Sequence, residues 1–563
     1  MTPGEDAVAI LTSEISRLGV VGAGTMGAGI AQVAAQAGYA VVLCDVSEEA
    51  LARGHKRIEA GFAHAVAREQ LTSEARDAAL GRIRTTTSLD DLRDAQFVIE
   101  AAPEELALKR QLFAALAGIC APDTILASNT SSLLITGLAS DVAHPERVIG
   151  MHFFNPVPVR PLVEVIGGAR TSPEVADATV ALAERLGKTA VRALDTPGFI
   201  VNRVARPFTG EALRMASEGI ATPAQIDRIV RVAGFSIGPF EMMDLVGNDV
   251  NFAVHRAIYE QTFGEPRYRP QRLQAQLIAA GRLGQKTGQG FYRYEDGRKV
   301  ADETPEPYAE IGPLGRAATV LIAGHGPQVD DLAIALKAAG QEVITYSTEE
   351  SPAQENAGIP RARRLRDVLM ATTIAIEAVL GPRDLKRAYW YELDDTLPPQ
   401  IPILALALGQ GATEIGSWGN RPERVVGLGY AGPFATAPIA ELGRGLRTGE
   451  TALRRSVAFL RRLGKEVAVV GDPPGQVLTR LLSCLINEAA FALDEGIAAP
   501  ADIDTALKLG LNFPAGPIEW SSRLGLEAIV TTLDGLHRYY GEERYRVAPR
   551  LRRAYHAGRK VLG

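Results

Sequence analysis

Short apolar runs alternate with stretches of helical period through the first third of the chain. LGVV (18–21) leads through a glycine-rich turn into GIAQVAAQAG, whose apolar positions fall on one helical face, and AVVLC (40–44) follows as a second apolar run. FVIE (97–100), TILAS (124–128), the stretch 147–151 and the stretch 162–166 continue the series, and a helical pattern follows FVIE. Strands this uniformly apolar belong to a sheet covered on both faces, and their alternation with helices predicts a parallel α/β arrangement. From about residue 196 the pattern changes to helical period alone. ARPFTGEALRMASEGI (205–220) is amphipathic, and TPAQID predicts a helix start with Thr222 as N-cap and Pro223 in the first position. YEDGRKVADETPEPYAEIGP (294–313) has the composition of a linker.

The second half repeats the first. PERVIG (145–150) recurs as PERVVG (422–427), and EGIATPAQID (218–227) as EGIAAPADID (495–504), both at an offset of 277. Glu164 aligns with Glu441, Asp195 with Asp472, and Glu100 and Lys109 with Glu377 and Lys386 at that offset. Nearer the start of each copy the offset is 302, so the second copy is shorter by 25 residues between Asp45 and Asp94. Four units follow: a dinucleotide-binding α/β domain at 18–195, a helical domain at 196–295, a worn α/β domain at 316–471, and a second helical domain at 472–563. The fold class is a Rossmann-type domain plus an all-α domain, tandemly duplicated, with the second Rossmann-like unit degenerate.

Length and charge narrow the class of protein. A chain of 563 residues exceeds a single core. Net charge is −6 with basic residues dispersed, which offers no footprint for nucleic acid. The three cysteines, Cys44, Cys120 and Cys484, are too far apart for a CxxC site or a disulfide framework. The N-terminus is acidic and lacks a signal-peptide pattern, and no apolar run is long enough to span a bilayer, so a cytoplasmic enzyme is expected.

The chemistry concentrates in the first copy. Gly22-Ala23-Gly24-Thr25-Met26-Gly27 sits between a strand and a helix. Gly22 permits the turn, Gly24 lets backbone approach a pyrophosphate, and Gly27 lets the helix pack close, while the helix N–H groups meet the phosphates. Asp45, at the end of the next strand, is placed to accept the ribose hydroxyls and to repel a 2′-phosphate, which predicts NAD rather than NADP. Glu104 and Lys109 follow the strand 97–100. They read either as contacts to the nicotinamide-side ribose or as a helix-start acid and a solvated lysine.

Ser128, Asn129, Thr130 and Ser131 come directly after a strand, where ligands of open α/β sheets bind. The strand 147–151 delivers His152 at the same edge. Glu164 is the one charged residue in its apolar strand, and a buried carboxylate needs a partner. A histidine held by a carboxylate keeps its far nitrogen free to accept a proton. His152 and Glu164 therefore read as a base and its orienting acid, serving removal of a proton and a hydride from a hydroxyl-bearing carbon. Asn155-Pro156 reads either as a turn shaping the pocket or as a substrate contact. No metal-ligand spacing involves His152.

GAGTMG, SNTSSL, HFFNPVPVRPLVEV, PGFIVNR and GRLGQKTGQGFY, in this order, resemble the 3-hydroxyacyl-CoA dehydrogenase family over roughly residues 15–295. The resemblance implies oxidation of (S)-3-hydroxyacyl-CoA to 3-oxoacyl-CoA with hydride passing to NAD, in fatty-acid or aromatic-acid degradation. It implies His152 and Glu164 as the catalytic pair, with Ser131 and Asn202 near the substrate 3-oxygen. Lys56, with Arg53 and Arg57 on the helix following Asp45, reads either as a contact to the coenzyme A moiety or as part of a solvated helix face. Arg160 stands where the family often has methionine. Arg160 and Arg206 are candidates for a terminal carboxylate, set against the commonness of exposed arginines. It further implies that helical domains pair, here within one chain, with a homo-oligomer also open. Two rivals stand beside this reading: a β-hydroxyacid dehydrogenase acting on a free acid, and a retired NAD- or CoA-binding protein. In the second copy Gly27 is replaced by Val329, Asp45 by Ser347, His152 by Gly429 and Asn202 by Thr479, which predicts retention of fold without chemistry.

Overall fold

The computed structural model describes residues 15–301, 307–347, 351–369 and 371–563. The N-terminal stretch read above as lacking a signal sequence, 1–14, and residues 302–306 of the linker lie outside the described residues. Contacts divide the chain into two compact units, one of residues 1–204 with 495–512, the other of 205–494 with 513–563. The helical domain expected at 472–563 is therefore discontinuous: one of its segments belongs with the first sheet.

In the first unit eight strands form one sheet: β1 (Arg17–Val21), β2 (Ala40–Cys44), β3 (Ile83–Thr86), β4 (Phe97–Glu100), β5 (Ile125–Ser128), β6 (Val148–Phe153), β7 (Leu162–Gly167) and β8 (Thr189–Leu194). Their order is β3-β2-β1-β4-β5-β6-β7-β8. All neighbours are parallel except β6 and β7, which run antiparallel. The order reverses at β1, so the crevice beyond its carboxyl end lies at a topological switch point. Every residue of β4 and β5 is buried, as the uninterrupted apolar runs require.

The segment 495–512 completes this unit. Helix Pro500–Leu511 packs on β7 and β8, the Leu194 N–H donates to the Ile497 carbonyl at 2.9 Å, and Arg203 makes a two-pronged ion pair with Glu495. Gly510 sits where a side chain would press on Leu162 and Val201.

The second unit carries a hairpin of β9 (Tyr294–Glu295) and β10 (Arg298–Lys299), which occupies the start of the stretch read as linker. Its sheet comprises β11 (Thr319–Gly324), β12 (Glu342–Tyr346), β13 (Arg361–Ala362), β14 (Ile374–Ala378), β15 (Ile403–Leu406), β16 (Val425–Gly429), β17 (Ile439–Gly443) and β18 (Glu466–Val470). The order β13-β12-β11-β14-β15-β16-β17-β18 is that of the first sheet, with β16 and β17 again antiparallel. Between β2 and β3 the first copy carries helices Glu48–Ala67 and Ser73–Leu80; between β12 and β13 the described residues hold only Pro352–Asn356. This is the material lost by the shorter repeat.

The glycine turn is remodelled in the second copy. A side chain at Gly27 would collide with the Gly22 carbonyl, so Val329 at the same place forces a different path. Gly22 has φ 103° and Gly24 φ −67°, whereas Gly324 and Gly326 have φ 156° and 84°.

The helical segments of the second unit meet face to face. Helix Arg206–Ser217 packs on helix Leu478–Asp494, with Glu211 accepting from Arg480 at 2.9 Å and from Arg544 at 3.2 Å. Glu488 takes the Arg267 guanidinium at 2.9 Å. Thr222 caps helix Pro223–Val232 and closes a capping box with Gln225. That helix docks on β18 through Arg228 and Glu466, and the Gly471 N–H donates to the Ile220 carbonyl at 2.7 Å. Leu194–Ile497 and Gly471–Ile220 are the same contact with the copies exchanged, as are Arg203–Glu495 and Arg480–Glu218. Such reciprocity is what an isologous interface between two identical subunits has.

Candidate functional site

His152 lies inside β6, one residue before its end, rather than in the turn after the strand. In the antiparallel register it stands directly opposite Glu164 on β7. Opposed residues in such a ladder project to the same face, which brings the two side chains together. His152 Nδ1 lies 2.7 Å from Glu164 Oε2. Glu164 is fully buried, and β7 is an interior strand with β8 beyond it.

The second carboxylate oxygen is fixed as well. Glu164 Oε1 accepts the backbone N–H groups of Ile200 at 3.0 Å and Val201 at 2.8 Å. These belong to the PGFIVNR segment, which turns through Phe199 at φ 48° and then enters helix Val201–Val204, bearing Asn202. Phe154 and Phe199 flank the imidazole, with ring centroids 4.6 and 5.9 Å from it. The histidine is thereby held at Nδ1 and walled by aromatic rings, and Nε2 is the ring nitrogen that Glu164 does not engage.

The polar strand-end cluster is organised around one carboxylate. Glu104 Oε1 accepts from Thr130 Oγ1 at 2.7 Å and from the backbone N–H groups of Ser131 at 2.9 Å and Ser132 at 3.1 Å. Ser131 Oγ lies 3.4 Å from the same oxygen. Burial raises the Glu104 carboxyl, but Lys109 and these donors outweigh it and hold it below the usual carboxylate range. Asn129, in the same cluster, accepts the Phe153 N–H at 2.8 Å and so ties the β5 loop to the histidine strand.

Lys109 is not the solvated lysine of the simpler alternative: it is 1% exposed. Its ammonium donates to Glu100 Oε1 at 2.6 Å and to the Ala102 carbonyl at 3.2 Å, and pairs with Glu104 at 3.3 Å. With its donors engaged, whatever it does for a ligand passes through Glu104. Glu100 was not singled out as a site residue from the sequence. It also accepts from Ser128 Oγ at 2.7 Å and from the Ala102 N–H at 2.6 Å. The available signal was a carboxylate ending an apolar strand nine residues before a lysine, repeated at Glu377 and Lys386.

The glycine turn fits a dinucleotide. Gly24 caps helix Thr25–Gln36 with no side-chain bond, leaving the first-turn N–H groups of Thr25 and Met26 available, and the space beside Gly24 is open. Asp45 follows β2 and accepts the Ala23 N–H at 2.7 Å and the Ser47 N–H at 3.2 Å, which holds the carboxylate beside the turn. Ser47 caps helix Glu48–Ala67, on which Arg53, Lys56 and Arg57 are exposed. Asn155 is exposed in the turn after β6, and Arg160 is half-buried. Arg206 corrects its description as an exposed arginine: it is 8% exposed, and burial lowers its pKa to about 10. Among the described residues no His, Cys, Asp or Glu cluster suits a metal ion, and no helix is long and apolar enough to cross a membrane.

The family model described as 3-hydroxyacyl-CoA dehydrogenase, NAD binding domain, matches residues 17–196 and again 322–473. The 3-hydroxyacyl-CoA dehydrogenase C-terminal domain model matches 198–294 and 475–562. The chain is 36% identical over 539 residues to a 3-hydroxyadipyl-CoA dehydrogenase of Escherichia coli K12, covering 96% of this chain and 97% of that one. It is 44% identical over 284 residues to a probable 3-hydroxybutyryl-CoA dehydrogenase of Bacillus subtilis, spanning 50% of this chain and 99% of the relative. The crystal structure of a 3-hydroxybutyryl-CoA dehydrogenase from Escherichia coli K12 superposes with a TM-score of 0.76 at 34% identity, covering 97% of this chain and 99% of that one.

Proposed function

The chain belongs to the 3-hydroxyacyl-CoA dehydrogenase family of NAD-dependent oxidoreductases, and on that premise we propose that His152 is the base that takes the 3-hydroxyl proton of an (S)-3-hydroxyacyl-CoA. The observation that carries this is the buried 2.7 Å His152–Glu164 pair, set beside the strand-end cluster of Ser128 to Ser131. Glu164 holds the Nδ1 proton and so presents Nε2 as the acceptor. As the substrate hydroxyl gives up its proton to Nε2, the carboxylate stabilises the imidazolium that forms. In the reverse direction the same imidazolium returns the proton to the 3-oxygen. Bound NAD would supply the acceptor for the hydride leaving the substrate's C3.

Ser131 and Asn202 are assigned to the substrate 3-oxygen, Asn155 to the pocket wall and Lys56 to the coenzyme A phosphates. Gly22, Gly24, Thr25, Met26 and Gly27 would hold the cofactor pyrophosphate and Asp45 a ribose. Glu104 would stand at the nicotinamide side, with Lys109 positioning it. The second copy is assigned no cofactor. Val329 occupies the close-packing glycine's place, Ser347 replaces the ribose acid, and Asp330 sits in the first turn of helix Pro327–Ala338, where it would repel a pyrophosphate. Four sequence segments, with the boundaries given above, would be the units of this duplication, although 495–512 of the last groups with the first sheet. Reciprocal contacts between the helical segments would substitute for association of two chains.

The test is NADH oxidation driven by 3-oxoacyl-CoA substrates of increasing chain length, including 3-oxoadipyl-CoA, because the full-length relative is named for a dicarboxylic substrate. Free 3-oxo acids form the control. Turnover confined to free acids would overturn the acyl-CoA reading, and no turnover with either would favour a retired binding protein. In His152→Gln, kcat should fall by about 10²–10⁴-fold with NADH binding retained.

A further inference from the structure

The second copy has lost its base, yet it encloses a cavity of about 630 Å³, within the range of about 300–1,000 Å³ typical of small-molecule sites. The cavity opens at the carboxyl ends of β15 and β16, the strand ends that in the first copy carry the serine cluster and His152. Its residues at the corresponding positions have changed together. Leu406 stands for Asn129, Leu408 for Ser131, Tyr430 for Phe153 and Thr479 for Asn202. The polar floor has become an apolar one, and Leu406, Leu408 and Leu526 are buried in its wall.

Chemistry of the first kind is closed to it. Gly429 replaces the histidine, and the place a side chain would need there is taken by Gln476, which is itself buried. At the mouth the composition differs from the floor: Arg523, Arg559 and Lys560 line it and outnumber Asp331 and Glu527. Arg523 is anchored over the Trp520 ring, 4.8 Å from its centroid, and Arg559 reaches the Gly563 carbonyl at 3.1 Å. An apolar interior beneath a cationic rim suits an amphiphile with an aliphatic body and an anionic end.

We propose that this cavity is a second, non-catalytic binding site for an acyl chain bearing an anionic head. The head is either the phosphates of an acyl-CoA thioester or the carboxylate of a free fatty acid. The choice of thioester rests on the acyl-CoA reading of the first copy; the cavity's preference for an acyl chain does not.

The test is calorimetric titration of the full chain, without NAD, using octanoyl-CoA, octanoate and coenzyme A in turn. Octanoyl-CoA should bind with two equivalents per chain. In Leu408→Trp, which fills the cavity floor, one of the two should be lost while kcat for 3-oxoacyl-CoA reduction is retained. Octanoate binding that Leu408→Trp abolishes would identify the free acid as sufficient; binding by octanoyl-CoA alone would identify the thioester. Binding of octanoyl-CoA and octanoate that Leu408→Trp leaves unchanged, or a Leu408→Trp-sensitive equivalent that coenzyme A fills without an acyl group, would overturn the proposal. Should Leu408→Trp not fold, hydrogen exchange on the wild-type chain decides. Octanoyl-CoA should slow exchange at 522–528 and 555–560, and unchanged exchange there overturns the site. Catalytic turnover reports separately on the first copy, so failure of one reading is not failure of the other.

Discussion

Replacing Glu164 by glutamine should do more harm than removing the side chain altogether. Glu164 Oε1 already accepts two backbone N–H groups, from Ile200 and Val201, while Oε2 faces His152 Nδ1. A glutamine has one oxygen to place. Set at the Oε1 position, it keeps both backbone bonds and turns its NH₂ toward the ring. Set the other way, it leaves two buried N–H groups facing a donor, at about 1–3 kcal/mol each. The first orientation wins. Nδ1 must then accept a hydrogen bond, so the ring carries its proton on Nε2, and the atom that should take the substrate proton is already protonated. An amide in place of the carboxylate of a serine-protease triad has this effect and lowers kcat by about 10⁴-fold, equivalent to about 5 kcal/mol at the transition state.

Glu164→Ala leaves the ring free to adopt either tautomer. It should therefore turn over faster than Glu164→Gln despite being the less stable protein, because two buried N–H groups lose their acceptor. Steady-state reduction of acetoacetyl-CoA by NADH measures both variants, and NADH fluorescence titration checks that cofactor binding is intact. A glutamine variant as active as the alanine variant, or within tenfold of wild type, would refute the tautomer argument and leave Glu164 as a scaffold residue only.

NADH should bind once per chain, and Gly27→Ala should abolish tight binding, because any side chain there meets the Gly22 carbonyl; two comparable calorimetric sites would contradict the worn second turn. Lys109→Met should destabilise the protein by about 3–5 kcal/mol, since it strands the fully buried Glu100, and thermal unfolding reads this directly. Glu441 should make the second copy sensitive to pH. Burial pushes its carboxyl up to about 7, and the N–H groups of Leu478 and Val477 only partly offset this. A carboxyl raised in the folded state contributes stability that is present below its unfolded pKa of about 4.5 and is lost as pH rises through 7. Stability of the wild type relative to Glu441→Gln should thus fall by about 2–3 kcal/mol between pH 4.5 and 8, measured by denaturant unfolding.

The sheet, the glycine turn and the His–Glu pair were legible in the sequence because each leaves a local mark: apolar runs, a strand–turn–helix glycine pattern, and a carboxylate where none is tolerated unpaired. The cross-strand register was less legible. Nothing in the spacing of His152 and Glu164 states that β7 reverses direction, which is what sets them opposite each other. Lys109 stays open between a ligand contact and a solvated lysine in the sequence because a lysine on an amphipathic helix is ordinarily exposed; its burial depends on Glu100, which the chain brings beneath it only in three dimensions. The docking of 495–512 on the first sheet was hidden for a different reason. Repetition identifies equivalent segments, but it does not say with which copy each will pack.

The duplication serves as an internal control on which residues act as scaffold and which as chemistry. Glu377 and Lys386 pair at 2.5 Å in a copy without a ribose acid, just as Glu100 and Lys109 do in the first. That pair therefore staples strand to helix, and its retention needs no ligand. Asp472 caps Thr413 as Asp195 caps Thr136, again without chemistry to serve. Glu441 is the more telling survivor. It accepts the N–H groups of Val477 and Leu478 as Glu164 accepts those of Ile200 and Val201, though the histidine it would orient is absent. One function of this carboxylate is thus to fix the chain where the sheet hands over to the helical segment. In the first copy a histidine set across the strand recruits the same anchored carboxylate. Around this carboxylate what separates the two copies is small: one imidazole, and the ring of Phe199 beside it where the second copy has Gln476. Gly429→His alone should not restore the pair, because its side chain would collide with Gln476. Gly429→His with Gln476→Phe removes that collision, supplies Glu441 with a donor, and should weaken the pH dependence assigned to it. An unchanged pH profile in the double variant would show that anchoring and recruitment are not separable in this way.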